Sequence, residues 1–488
     1  MEYFNPDKNK VFFGNSDRLA EWIAENPNQN NVINKIKLML KNYLELDNVS
    51  FLFGSGTSIH LGAVAIRNFP KEVEEYVTTT NEGSLKTELL STIEALQANQ
   101  LEEKKHGDVF EDQRGWKFIV DDKIIRDNTS NEIATEYERV LNYLIAKDFV
   151  LSEDKSIERE DKIGELIIAI KEGLFNVCNL EKREVSQDVI DRKKASTFIP
   201  NQKQGELLET QSKYVFHEKF IKTLLQRPLN LRRANIFTAN YDLAFEYAFD
   251  KLGVHYIDGF AGFHKRFFKP ETFDYDIFYP GSTTSGKIQR IEKVVRYFKL
   301  HGSLSWVNSE SRDSNNLYGI EEKPLELIES LQKKGEILIY PSAVKKSYTL
   351  DFPYSELFRQ FASTITQSQS VLITIGYAFA DDHFNDIIFQ ALSNPTFTLI
   401  IVDYVGTKSS YIKRIQELND PRIIILEGEF FGDFLTFADT LMPNFNNVDN
   451  YEEIASTLNT LLGNNSSTPQ IVEPEEPESE NKNIIPEA

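Results

Sequence analysis

The chain of 488 residues has one cysteine, Cys178. No disulfide can close within it, and no zinc site built on several cysteines exists. Long apolar runs are also missing. None approaches the ~20 residues that a membrane-spanning helix needs. Positive charge is in deficit: 54 Lys and Arg stand against 75 Asp and Glu, a formal net charge of −21. Such a chain is repelled by nucleic-acid phosphates and anionic membranes, so neither is expected as a direct partner. The opening segment Met1–Lys8 lacks the basic-then-apolar pattern of a signal peptide. With the lone cysteine, this makes a reducing, cytoplasmic setting the expectation.

What is present supports a large core. Hydrophobic residues make up 41% of the chain, with 35 Phe and 20 Tyr, enough for two or more domains. Residues 1–47 read as helical, with Asn15, Ser16 and Asp17 as a cap before Leu19 and a second amphipathic run from Val32 to Leu44. The apolar run Val49–Phe53 then breaks into Gly54, Ser55, Gly56, Thr57 and Ser58. This predicts a buried strand ending in a glycine turn, with a helix from Thr57 or Ser58 through Ala63, Ala65 and Ile66. The turn is not G-x-G-x-x-G, since the next glycine is Gly62, and it lacks the Lys-Ser/Thr of a P-loop.

From 71 to 227 glycines are few and apolar residues recur at helical spacing, as in Leu85–Leu101, Asn131–Ile145, Lys162–Val177 and Val215–Leu225. An α-helical insertion is expected there. After 233 strands and helices alternate. Strands are expected at Ala234–Thr238, Val254–Ile257, Val294–Leu300, Glu336–Tyr340, Val371–Ile375, Phe397–Asp403 and Arg422–Leu426. Helices are expected at Leu243–Leu252, Phe352–Ile365, His383–Leu392, Tyr411–Leu418 and Gly432–Met442. Residues 260–295 read as an irregular aromatic excursion. The pattern predicts an α/β protein with a Rossmann-like, doubly wound, mostly parallel sheet. The sheet domain is expected to comprise 1–70 plus 228–445, with 71–227 inserted. The Asn-, Ser-, Pro- and Glu-rich stretch 464–488 reads as a disordered acidic tail.

Polar residues follow the strands at Gly54–Ser58, Thr238–Asp242, His301–Ser303 and Gly376–Asp382. Parallel strands send all such ends to one edge of the sheet, so the four groups are expected to converge. Taken singly, each has a plainer reading. Asp242 could cap a helix, and His301 could be a core histidine bonded to a carbonyl. Carboxylates are scattered without metal-ligand spacing, so no metal is expected.

These residues, in this order, resemble the SIR2 (sirtuin-like) family, whose signatures are Gly-Ala-Gly-x-Ser, Thr-Gln-Asn-x-Asp and His-Gly. The nearest resemblance is to the SIR2-like NAD⁺-consuming proteins of bacterial antiviral defence. It covers about 50–60 and 230–430. Three features depart from the sirtuin pattern: Ala239 replaces the Gln, the four-cysteine zinc module is absent, and the helical insertion is present. These disfavour protein deacylation. The resemblance implies an NAD⁺ glycohydrolase that releases ADP-ribose and nicotinamide, with NAD⁺ depletion as the output of an abortive-infection system. NAD⁺-dependent deacylation and non-catalytic NAD or ADP-ribose binding are its alternatives. It implies catalytic roles for Asn240, His301 and Asp242. It implies a diphosphate cradle from the N–H groups of Gly54, Ser55, Gly56, Thr57 and Ser58. Gly302, Gly376, Tyr377 and Asp382 would line the ligand, and Asp403 would lie near the adenine ribose. A homo-oligomer and a HerA-like ATPase partner are further implications.

Overall fold

The computed structural model of the chain describes residues 3–64, 69–80, 85–93, 96, 137–153, 162–185, 212–279, 289–309, 316–331, 334, 352–379 and 381–445. Its strands are β1 (Asn9–Phe13), β2 (Ser16–Asp17), β3 (Asn48–Phe53), β4 (Asn235–Thr238), β5 (His255–Ile257), β6 (Phe260–Ala261), β7 (Arg266–Phe268), β8 (Val294–Lys299), β9 (Trp306–Asn308), β10 (Ile320–Glu322), β11 (Ser370–Ile375), β12 (Thr398–Asp403) and β13 (Ile423–Gly428). Among the described residues, nine of them form one sheet in the order β2-β1-β13-β12-β11-β3-β4-β8-β5. From β13 to β5 every neighbouring pair is parallel. Only β1 runs antiparallel, against β13 and β2.

The segment β8-β4-β3-β11-β12-β13 is a doubly wound order. The chain begins in the middle at β3, builds outward through β4 and β8, then returns to β11 and builds the other way. The order reverses between β3 and β11, and crevices form at such points beyond the strand ends. The expected α/β class and parallel sheet are therefore present, with the return from β3 to β4 delayed until residue 235.

Both faces of the sheet are covered, which is why its central strands are buried along their whole length rather than alternating with polar residues. On one face Phe51 and Phe53 meet Phe220 of the helix Val215–Leu224 edge-on, at 5.0 and 5.1 Å. Leu52, pointing the other way, joins the cluster that holds Phe237, Phe361 and Ile365. Helices at Phe69–Thr80, 85–93, Tyr137–Glu153 and Lys162–Cys178 share a separate apolar cluster that includes Val77, Leu89, Leu144 and Ile170.

Several sequence expectations are corrected. Residues 1–47 are not all helical: β1 and β2 precede the helices Arg18–Glu25 and Gln29–Leu44. The alternation of Asn9, Val11 and their neighbours was the overlooked signal, and Asn9 is buried because its Oδ1 accepts from the N–H groups of Phe430 and Phe431 at 2.8 and 3.2 Å. No α-helix starts at Thr57. Two 3₁₀ turns, Ser55–Thr57 and Ile59–Leu61, end at Gly62 with φ +90°. Ala65 and Ile66 lie outside the described residues. The stretch 260–295 is less irregular than expected, because β6 and β7 pair with β10 and β9 in a second sheet. Gly432–Met442 begins as the short helix Phe434–Thr436 and continues as a π-turn, Phe437–Leu441. The strand expected at 336–340 and the tail 464–488 lie outside the described residues, as do the middle parts of the insertion.

One buried group makes stability depend on pH. His217 is fully buried, with Phe245 and Phe434 at 4.8 Å and the ring of His60 stacked on it at 5.5 Å. Its ring nitrogens have no hydrogen-bond partner among the described residues. Burial lowers its pKa to about 3. The unfolded chain takes up a proton below about pH 6.5 that the folded ring refuses, so stability falls as pH drops through that range toward 3. The slope is about 1.4 kcal/mol per pH unit. Replacing the ring by His217→Phe is expected to flatten it. Urea denaturation at pH 7.5 and 5.5 tests this, and equal pH slopes for the two proteins would refute it.

Candidate functional site

The glycine turn is built by backbone contact across the switch point. Gly54 N–H donates to Ile375 O at 3.0 Å and Gly56 N–H to Gly376 O at 3.1 Å. A Cβ on Gly56 would lie 2.7 Å from Gly376 Cα, and one on Gly376 would lie 2.8 Å from Gly56 Cα. Gly376 also takes φ +60°. Side chains fit at neither position. Thr57 N–H donates to Gly54 O and Ser58 N–H to Ser55 O, both at 3.1 Å. Four of the five N–H groups expected to cradle a diphosphate therefore already have partners inside the protein. The glycines serve the close approach of β3 and β11.

The side chains of the turn form a directed network with the loop after β4. Thr57 Oγ1 donates to Gly54 O at 2.8 Å, and Ser58 Oγ donates to Asp242 Oδ2 at 2.8 Å. With their hydrogens spent, both hydroxyls accept. Asn240 Nδ2 supplies them at 3.3 Å each, and reaches Gly54 O at 3.0 Å. The carbonyl of Gly54 can only accept, so the amide orientation is fixed. Asn240 Oδ1 accepts nothing among the described residues. The side chain is half-buried, and its amide hydrogens face the turn.

Asp242 holds the other end of the loop. Its Oδ1 accepts from Ala244 N–H at 3.1 Å, the start of the helix Ala244–Leu252. This is a turn bond one residue ahead of the helix cap, Leu243. Burial pushes the Asp242 carboxyl above its ordinary pKa, opposed by Lys299, the Ala244 N–H and the Ser58 hydroxyl. Lys299 was not anticipated. Its Nζ donates to Tyr241 O at 3.1 Å, to Asp242 O, and to Glu246 Oε1 at 2.8 Å. Tyr297 OH donates to Glu246 Oε2 at 3.0 Å. Lys299 and Glu246 are both buried. A lysine between Phe298 and Leu300 in an apolar strand was the available signal, because a buried charge demands a partner.

His301, the second residue after β8, is 7% exposed and places Nε2 3.1 Å from Asp381 Oδ2. The other carboxylate oxygen, Asp381 Oδ1, accepts from His383 N–H at 3.1 Å and caps the helix Asp382–Leu392. The reading from sequence chose Asp382. Two adjacent aspartates precede this helix, and local pattern does not tell which one caps it. The side chain of Asp382 is outside the described residues. Gly302 takes φ +88° and donates to Lys299 O at 3.1 Å.

Two residues expected at the ligand make structural contacts. Tyr377 is 6% exposed, its ring lies against Phe379 and Phe384 at 5.0 and 5.6 Å, and its hydroxyl donates to Asp381 O at 3.3 Å. It is a core residue beneath the site. Asp403 Oδ1 accepts from Val405 and Gly406 N–H at 2.9 and 2.6 Å, so it organises the turn after β12. Burial raises its pKa, against those two N–H groups. The structure brings together Ser58, Asn240, Asp242 and the loop between them; His301 joins through Tyr241, with ring centroids 6.3 Å apart. Among the described residues no group of three His, Cys, Asp or Glu could hold a metal ion, and no helix is long and apolar enough to cross a membrane.

Residues 234–404 match the family model described as a SIR2-like domain. The match runs from the start of β4 through β12, and includes Asn240, Asp242, His301 and Gly376 but not the turn at 54–58. None of the curated proteins compared with the chain matches it.

The buried Lys299–Glu246 pair generates a stability prediction. Lys299→Met leaves the Glu246 carboxylate buried without its cation, and is expected to cost about 3–5 kcal/mol. Adding Glu246→Leu is expected to recover part of that loss. Urea denaturation of the two single variants and the double variant measures the coupling; strictly additive losses would exclude it.

Proposed function

We propose that the chain is an NAD⁺ glycohydrolase, cleaving the nicotinamide–ribose bond to give ADP-ribose and nicotinamide. The observation that carries this reading is Asn240. Its amide nitrogen is fixed on the glycine turn, which leaves Oδ1 for a ribose hydroxyl or a water. The position at the switch point of a doubly wound sheet and the SIR2-like match over 234–404 support the nucleotide class of the substrate.

The chemistry asks little of the protein. Nicotinamide leaves as a neutral base, so no general acid is required, and the transition state has oxocarbenium character at the ribose. Asn240 orients the ribose and the attacking water. His301 takes the proton from that water. With Nε2–H donated to Asp381, the lone pair of the neutral ring is on Nδ1, which is then the basic atom. Asp381 holds the ring in that tautomer, and the helix cap holds Asp381. Asp242 and Ser58 keep the 240–242 loop against the turn.

The biological reading extends the same proposal. NAD⁺ depletion would act as the toxic output of an abortive-infection defence. Such an activity must be silent until triggered, so control by homo-oligomerisation or by a HerA-like ATPase partner belongs to the reading. The segment 71–227, read as an inserted helical domain, is a candidate interface.

Purified protein is incubated with NAD⁺ with and without the partner, and nicotinamide release is expected in the triggered state. Asn240→Ala and His301→Ala are each expected to reduce the rate by roughly 10²-fold or more. If both variants match an active wild type, the assignment of the site fails. Appearance of O-acetyl-ADP-ribose from an acetylated peptide would turn the reading to deacylation. NAD⁺ binding without turnover under every partner condition would turn it to a non-catalytic scaffold.

A further inference from the structure

The turn between β11 and the helix Asp382–Leu392 adopts a conformation that one of its residues resists. Between 376 and 379 the backbone enters the left-handed region twice. The first residue there is Gly376, at φ +60°, which takes it without steric cost. The second is Phe379, at φ +56°. A bulky side chain is strained there, because its Cβ crowds the following carbonyl oxygen. Such a residue persists only where its surroundings hold it, and strain of this kind gathers at functional sites.

Two contacts hold Phe379. Its ring is buried against Tyr377, with centroids 5.0 Å apart. Its carbonyl accepts from Asn385 Nδ2 at 2.8 Å. Asn385 ties the turn at a second point, because its own N–H donates to Asp381 O at 3.1 Å, the first hydrogen bond of the helix. A carbonyl only accepts, so the amide nitrogen must face Phe379 and the amide oxygen must point away. That oxygen, Asn385 Oδ1, is buried and has no hydrogen-bond partner among the described residues. An apolar side chain of the same size would avoid an unpaired buried oxygen. What the amide alone supplies is the donor to Phe379 O.

The turn delivers Asp381. One carboxylate oxygen lies 3.1 Å from His301 Nε2, and the other caps the helix through His383 N–H. Tyr377 OH reaches the Asp381 carbonyl at 3.3 Å. Asp381 follows the strained residue by two positions, so a return of Phe379 to negative φ would redirect the chain that enters it.

We propose that Asn385 is a positioning residue for the His301–Asp381 pair, holding Phe379 in its left-handed conformation so that the carboxylate meets the imidazole. The consequence for catalysis rests on the reading of His301 as the base; the effect on the pair does not.

NMR titration of the His301 imidazole in the full chain, identified by its loss in His301→Gln, tests the pairing without turnover. The imidazole is faced by the Asp381 carboxylate, by Tyr241 with ring centroids 6.3 Å apart and by Phe384 at 5.1 Å. A carboxylate in contact favours the imidazolium, so Asp381→Asn is expected to lower the His301 pKa by about one unit or more. Asn385→Leu keeps the volume and loses the donor, and is expected to lower it comparably. Combined with Asp381→Asn it is expected to add little, as for two residues acting through one contact. Should the Leu variant fail to fold, Asn385→Ala decides in its place. A His301 titration left at its wild-type position in the folded Asn385 variant, or in Asp381→Asn, would overturn the proposal. The pH dependence of nicotinamide release separates the two readings. If its acid limb follows the His301 pKa in these variants, both stand. If the imidazole shifts and the limb does not, Asn385 still positions the pair and His301 is not the base.

Discussion

The carboxyl edge of the sheet depends on one backbone contact, Gly54 and Gly56 against Gly376. Parallel pairing of β3 and β11 brings their ends together, and the chain must turn away in opposite directions at that point. Two turns with side chains would collide there. Three glycines let them interlock through N–H···O bonds. Once the turn is set, Thr57 and Ser58 have fixed hydroxyls, and these dictate how Asn240 sits. The candidate site is thus assembled from backbone packing outward: glycine contact, hydroxyl orientation, amide orientation, and finally the carbonyl oxygen of Asn240.

The same chain of constraint explains what the sequence made legible. Gly54–Ser58, Asn240, Asp242 and His301 all follow apolar runs, and parallel topology alone sends them to one edge. The delayed return to β4 was legible too, because helical spacing replaces strand-and-turn spacing from 71 onward. What was not legible is partner choice. Lys299 declares itself as a buried charge, but Glu246 is fifty-three residues earlier, on a helix, and nothing local ties the two. Asp381 and Asp382 are indistinguishable until the helix start is known. Tyr377 and Asp403 were placed near the ligand by the resemblance alone; that Tyr377 is also packed in the core and Asp403 also ties the turn after β12 depends on contacts that no local pattern displays.

The Lys299–Glu246 pair also bears on how the loop at 240–242 is controlled. A buried ion pair contributes little net stability, since desolvation offsets most of the attraction. Its effect here is geometric. Lys299 spends two of its three donors on the carbonyls of Tyr241 and Asp242, so the loop that presents Asn240 is tied to β8, and through β8 to His301 two residues on. The amide and the imidazole are therefore positioned by the same strand, and a shift of Lys299 would move both.

The two edges of this sheet differ in electrostatic character for a related reason. At the carboxyl edge each described carboxylate is matched: Asp242 with Ser58, the Ala244 N–H and nearby Lys299, Glu246 with Lys299, and Asp381 with His301 and a helix cap. At the amino edge one Asp276 serves two arginines, Arg233 and Arg290. Matched polar groups fix geometry, which suits a site that must hold an amide and an imidazole in register.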